Sequence, residues 1–302
     1  MADILIHCML IILMPPLLFG VINRTKAAFA GRSGAPLLQP YYDLFRLLRK
    51  GSVFSRTATW VFRAGPVVAL AATLAAALLI PLGNHRPPLS FNGDMILFVY
   101  LLALGRFFTA TAALDTGSSF EGMGAAREVT FSCLAEPVIC IALLVLSRLS
   151  GQLSLYGILA HSSITLWMTS GAALILLVAG LFLVLLSENC RIPFDDPTTH
   201  LELTMIHEVM VLDHSGPAFG MILYGAALKL FILGALFLNV LLPLRAASPL
   251  LDWLVFLMSM ILLAVTVGIV ESCMARYRLV RVPQILLAAC VLSAFAMLLV
   301  VR

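Results

Sequence analysis

An all-α polytopic membrane bundle is the fold class this sequence predicts, with about eight transmembrane helices and amphipathic cytoplasmic helices between them. Three observations carry that expectation. Hydrophobic residues fill 62% of the 302 positions and charged residues 11%, against about 45–50% and about 25% in an average soluble domain. The 19 basic and 15 acidic side chains are too few to clothe a water-exposed surface of this size. The apolar residues also gather into runs close to the ~20 residues that a helix needs to cross about 30 Å of hydrocarbon.

Taken in order, the runs fall near 4–23, 59–82, 94–114, 129–149, 164–187, 217–243, 250–271 and 281–301, within a single membrane domain spanning 1–302. The first has neither a basic leading region nor a small-residue cleavage site, so it is expected to stay as a span. It holds Pro15 and Pro16, and the fourth holds Pro137 near its start. Proline kinks a membrane helix without ending it when neighbours satisfy the freed carbonyls, so both runs are read as whole spans. Small residues recur in the second run (Ala69 to Ala77), the fifth (Gly171 to Gly180) and the sixth (Gly220 to Gly234). They let helices approach closely in lipid.

The connections fix the expected orientation. The segments 24–58, 115–128, 188–216 and 272–280, with the adjoining helix ends, collect thirteen basic residues, and the opposite side collects four. Positive charge marks the cytoplasmic side, which puts both termini outside. Twelve of the fifteen acidic residues lie on that same side. A zwitterionic solvated surface accounts for them, and so does a docking face with a polar passage into the bundle. The net charge of +4 is small, so no nucleic-acid partner is expected.

Three charges stand where lipid is expected: Arg106 and Lys229 mid-span, and Glu136 about a turn inside the fourth run. Each costs roughly 2.5–3.5 kcal/mol at the bilayer centre. Two readings stand side by side. One is an ion or proton route; the other is a structural ion pair, Arg106 with Glu136 or Lys229 with a carboxylate, that sets helix register.

The densest polar stretch runs from Ser187 to Gly216 and carries Glu188, Arg191, Asp195, Asp196, Glu202, Glu208 and Asp213. Pro197 after Asp196 predicts a helix start. Leu201, Met205, Val209 and Leu212 then repeat at helical spacing, with His200, His207 and His214 on the polar face. Imidazoles seven residues apart are about 10.5 Å apart along a helix, too far for one metal, so no metal site is expected there. Carboxylates and imidazoles at a membrane edge suit proton transfer, and a surface helix gripping a partner subunit explains the same residues.

The first cytoplasmic connection places Leu44, Phe45 and Leu48 on one stripe, with Arg46, Arg49 and Lys50 opposite or flanking. Such a basic amphipathic helix lies at the lipid interface or docks a partner. The six cysteines contain no C-x-x-C pair, so neither a thiolate cluster nor a disulfide framework is expected. This chain is expected to bind no cofactor.

These segments together resemble the membrane subunit shared by respiratory complex I (its subunit 1) and the energy-converting group 4 [NiFe] hydrogenases. Gly34, Pro36, Gln39, Pro40 and Asp43 match the element after the family's first span, with Arg46 and Arg49 where lysines are common. Arg127 and Glu136 repeat an Arg and Glu nine residues apart. Glu188, Arg191, Pro193, Phe194 and Asp195 match E-x-x-R-x-P-F-D, and Asp213 to Gly216 stands for E-Y-S-G. Thr198, Thr199 and His200 replace an E-A-E trio of the quinone-reducing relatives, and T-H-L-E-L-T-M-I-H-E looks like the hydrogenase-4 and formate-hydrogenlyase branch.

The resemblance implies a subunit that anchors a peripheral redox arm and couples electron flow to proton or sodium movement. The complex I quinone-chamber subunit is the alternative. Glu136, Glu188, Asp195, Glu202 and Asp213 would line the ion route, with Glu208, His207 and Lys229 as further candidates and Arg106, Arg127 and Arg191 as charge partners. Asp43, Arg46, Arg49 and Lys50 would dock partners. Implied neighbours are hydrogenase large and small subunits, an iron–sulfur protein and antiporter-like membrane subunits in a bacterial inner membrane. The [NiFe] centre and Fe–S clusters would belong to them.

Overall fold

The computed structural model describes residues 2–55, 57–195, 205–243 and 248–301. Among them the helices are α1 (Ala2–Phe29), α2 (Gln39–Leu48), α3 (Trp60–Ala77), α4 (Asp94–Asp115), α5 (Ser119–Ser150), α6 (Leu155–Ala160), α7 (Ile164–Glu188), α8 (Gly216–Leu241), α9 (Pro249–Cys273) and α10 (Val282–Val301). Eight of these are long and apolar enough to cross a membrane; α2 and α6 are the short ones. The chain is therefore a multi-pass, all-α membrane bundle.

Hydrogen bonds show how the connections gather at two ends. At one end Val53 and Ser215 exchange bonds of 3.0 and 3.2 Å, Tyr277 N donates to Pro193 O at 2.8 Å, and Asp213 N donates to Glu121 at 3.0 Å. This end holds the described residues of 30–55, 57–59, 116–118, 189–195, 205–215 and 274–281, and is called the connector end below. At the other end the buried Asp94 carboxylate accepts from Leu155 N at 2.5 Å and Phe91 N at 3.3 Å, tying α4 to α6.

Between the ends α3 lies along α4 and α8, α10 packs against both α5 and α7, and α1 sits against α8 and α9. Small residues set these approaches. A Cβ on Gly65 would fall 2.7 Å from Ala112, and one on Gly180 2.8 Å from Ser293. Among the described residues the main core is a continuous apolar cluster running from Ile11 of α1 to Ala296 of α10, and a smaller one joins Ala110, Ala113 and Ala125 to Met210 and Val211 of the connector.

Both prolines of α1 stay inside the helix. They leave the Ile11 and Ile12 carbonyls without their usual donors, and the Tyr224 hydroxyl of α8 donates to both, at 3.0 and 3.3 Å. Tyr41 of α2 donates to Leu13 O in the same bend.

Two expectations are corrected. The segment 115–128 is not a loop: α5 begins at Ser119, and its 32 residues reach about 48 Å, well past the hydrocarbon core. Its first turns are small and polar because the connector packs on them, and a Cβ on Gly124 would meet Val209 at 2.3 Å. The amphipathic helix read from Pro197 to Leu212 does not continue over its described part, where a 3-10 turn (Glu208–Val211) replaces it. His207 and His214 are thus not on one helix face. His200, Glu202 and the start of that stretch lie outside the described residues.

Candidate functional site: a buried charge network at the connector end

Four long helices bring their charges to one place, largely buried at Arg106, Glu128 and Glu188 and open at Glu136, whose side chain is 37% exposed. Arg106 of α4 is central, with 8% of its side chain exposed. One Nη contacts Glu136 of α5, the other donates to Glu188 of α7 at 2.6 Å, and Nε lies 3.7 Å from Glu128 of α5. Lys229 of α8 donates to the same Glu188 oxygen at 2.6 Å. Glu188, whose side chain is 4% exposed, is therefore held by two cations at once. Charged groups survive in an apolar bundle by such pairing.

Each residue sits where its helix can deliver it. Arg106 is nine residues from the end of α4, about 13.5 Å in, whereas Glu188 is the last residue of α7. The cluster therefore lies where α7 ends and the deeper parts of α4, α5 and α8 pass. Pro137 follows Glu136 directly inside α5 and removes a backbone donor.

Two cavities meet at this network. One of about 70 Å³, between α3, α4 and α8, is bordered by Arg106, Glu128, His207 and Lys229. The other, about 10 Å³, is bordered by Glu128, Glu188, Cys190 and Asp195. Glu128 is common to both. The larger one is walled mostly by apolar side chains, and Arg106, Glu128, His207 and Lys229 give it the polar partners that a water needs.

From there the polar groups continue outward. Asp195 accepts from the backbone N–H of Ile206 at 3.0 Å and His207 at 3.3 Å, and its other oxygen pairs with Arg276 at 2.8 Å. Arg191 lies on the Phe19 ring and pairs with Glu271 at 3.3 Å, and Lys26 reaches Glu271 at 2.9 Å. Burial holds the His207 imidazole below its ordinary pKa, against the pull of Glu128 and with the push of Lys229. Burial also pushes the Cys190 thiol well above its usual value, and Glu128 and Asp195 add to that.

The residues predicted from sequence divide accordingly. Arg106, Glu136, Glu188 and Lys229 form the network, and Asp195 and His207 adjoin it. Asp213 is exposed and Glu208 partly exposed in the turn beyond. Glu202 lies outside the described residues. Arg127 donates to Met205 O at 2.8 Å, fastening the connector to α5. Arg191 has Glu271 as its carboxylate, not one of the predicted acids. Asp43 accepts from Gln39 at 2.9 Å, Arg49 lies over the Phe45 ring, and Arg46, Arg49 and Lys50 are exposed.

Sequence reasoning missed Glu128, Cys190, Glu271, Lys26 and Arg276. Glu128 had the best available signal: it follows Arg127 and lies eight residues, a little over two turns, before Glu136. Glu271 and Lys26 end helices whose register against each other no local pattern reveals.

This architecture is similar to that of known proteins. The family model described as NADH dehydrogenase matches residues 2–302. The chain belongs to that family. Within it, formate hydrogenlyase subunit 4 of Escherichia coli (strain K12) is 30% identical over 288 residues, covering 93% of this chain and 92% of the relative. Hydrogenase-4 component C of the same strain is 30% identical over 298 residues, covering 97% and 93%. An NADH-quinone oxidoreductase subunit of Anaplasma phagocytophilum (strain HZ) is 30% identical, covering 66% of this chain and 62% of that one. A chain of the membrane-bound sulfane sulfur reductase, an archaeal respiratory membrane complex, shares the fold with a TM-score of 0.84 at 23% identity, covering 99% of this chain and all of that one. These relatives are parts of larger assemblies, so membership in the family implies partner chains.

Proposed function

We propose that this chain is the membrane-anchor and ion-coupling subunit of an energy-converting group 4 [NiFe] hydrogenase or formate-hydrogenlyase-like complex. The observation that carries the reading is the network of Arg106, Glu128, Glu136, Glu188 and Lys229 at the meeting of two cavities. Near-full-length similarity to formate hydrogenlyase subunit 4 and hydrogenase-4 component C supports the assignment of the complex.

The chemistry follows from the charges. Glu188 shares Arg106 with Glu136 and Glu128 and holds Lys229 as well, so adding a proton or a positive charge at one carboxylate changes what the others feel. At an effective dielectric near 20, unit charges 4 Å apart interact by about 4 kcal/mol. A change of charge at the connector end, where a redox partner would dock, is thereby felt inside the bundle. The thirteen-to-four distribution of basic residues supports placing that end in the cytoplasm and both termini outside. The exposed Arg46, Arg49 and Lys50 of the α2 region supply the docking charge.

The redox centres belong to partner subunits in this reading. An Fe–S cluster takes four thiolates, and the metal-ligating group that comes together among the described residues contains one. Large and small hydrogenase subunits, an iron–sulfur protein and antiporter-like subunits in an inner membrane complete the proposed complex. The second reading, a quinone-chamber role in an NADH-quinone oxidoreductase, is favoured by the 30% identity to the Anaplasma relative over 66% of this chain.

Two experiments test the reading. Purification of the tagged chain from native membranes, with mass spectrometry of what accompanies it, is expected to yield a nickel-binding large subunit; a flavin and NADH module instead would establish the second reading. Glu136→Gln and Glu202→Gln are expected to leave assembly intact and impair coupled activity. Wild-type ion movement and turnover in both would refute the coupling role.

A further inference from the structure

Three metal-ligating side chains from three separate segments converge beside the network. Glu128 comes from α5, Cys190 from the turn after α7 and His207 from the connector, and one ligand atom from each lies within 4.8 Å of the other two. Zinc bound by S, N and O sits about 2.0–2.3 Å from each, which sets ligand atoms about 3.5 Å apart. The triangle needs to close by little more than an ångström.

Further observations point to a cation here. The buried His207 Nδ1 has no hydrogen-bond partner. Arg106 and Lys229 bring two positive charges, against three negative ones on Glu128, Glu136 and Glu188. The cluster is thus one negative charge in excess, and release of the Cys190 proton on metal binding makes it two. A divalent cation balances that. The two cavities that meet at Glu128 reach His207 from one side and Cys190 from the other, with room for water as a fourth ligand.

We propose that Glu128, Cys190 and His207 form an inhibitory binding site for a divalent cation of the zinc class. Thiolate with imidazole selects zinc-like ions over magnesium and calcium, which prefer all-oxygen shells. On binding, the Cys190 S–H bond breaks, an S–metal bond forms and the proton leaves to water; no electrons move. The bound ion engages Glu128, the one carboxylate common to both cavities, and so blocks passage between them. Binding itself stands apart from the proposed function; the inhibition rests on it.

The test uses the full chain in detergent with Co²⁺ as the spectroscopic probe, and Zn²⁺ on the complex in native membranes. The chain is expected to take up one Co²⁺ with a thiolate-to-cobalt charge-transfer band. Cys190→Ser should abolish the band, and His207→Gln should weaken binding by roughly a hundredfold or more, since a ligand itself is lost and not an outer partner. Mg²⁺ should not compete. In membranes, Zn²⁺ should inhibit coupled turnover, and Cys190→Ser should raise the inhibitory concentration by a similar factor, measured against that variant's own metal-free rate. Absence of cobalt uptake, or uptake indifferent to Cys190→Ser, overturns the site. Cobalt bound through Cys190 with turnover insensitive to Zn²⁺ establishes the site and refutes the proposed ion route through this junction.

Discussion

Replacing Glu188 by glutamine removes the charge that two cations share while keeping the side chain's size. Each of the two contacts is 2.6 Å long, so at an effective dielectric near 20 each amounts to about 6 kcal/mol of gross attraction. The carboxylate's own desolvation offsets most of that, and removing one member of a buried pair has a net cost of about 3–5 kcal/mol. Arg106 keeps Glu128 and Glu136, whereas Lys229 has no other carboxylate within 4 Å among the described residues. Most of the loss therefore falls on Lys229. The double variant Glu188→Gln/Lys229→Met removes the stranded cation and restores the cluster's net charge, so it should lie within about 1–2 kcal/mol of wild type. The assay is unfolding of the detergent-solubilised full chain by increasing SDS, followed by fluorescence of its three tryptophans. A single variant within about 1 kcal/mol of wild type would mean a wet, screened cluster. A double variant no more stable than the single one would mean that pairing with Lys229 is not what Glu188 contributes.

Further outcomes follow from the same geometry. His214 is buried flat against Phe62 with ring centroids 4.0 Å apart, and burial lowers its pKa to about 4. The unfolded chain takes up that proton first, so stability should fall as pH drops from 6.5 toward about 4, by about 1–3 kcal/mol after screening, and His214→Asn should flatten a pH series of melting temperatures. Tyr224→Phe leaves the carbonyls freed by Pro15 and Pro16 without their donor, at a cost of about 1–3 kcal/mol in the same SDS assay; an unchanged midpoint would show that another donor replaces it. Gly124→Val drives a side chain into Val209 and should expose 205–215 to limited proteolysis, while wild-type protection would show that the contact yields. Glutamate at both Arg46 and Arg49 should release the peripheral subunits on purification, and undiminished co-purification would remove α2 from the docking face.

The spans were legible because bilayer thickness imposes a length and a composition on them, and the eight long helices follow from that alone. The start of α5 was not, since Ser-Phe-Glu-Gly-Met-Gly-Ala-Ala-Arg is too polar for lipid and becomes helical against the connector. Arg106, Glu136 and Lys229 stood out as charges in apolar runs, and the cost of that placement already demanded partners. Glu128, Cys190 and Glu271 stood at helix ends or among other polar residues, where nothing marks a charge as buried. The helical repeat from Leu201 to Leu212 misled for a specific reason. Carboxylates at Asp195 and Glu121 take the N–H groups of Ile206, His207 and Asp213, offering the backbone an alternative to the helix ladder.

The Tyr224 hydroxyl spans two oxygens on a neighbouring helix, and five residues further along its own helix stands Lys229. A rigid rod of about 7.5 Å thus separates the bend in the opening segment from the ammonium that grips Glu188. The fastening of the opening segment and the grip on Glu188 are therefore built on a single stiff element, so the placement of one is tied to the placement of the other.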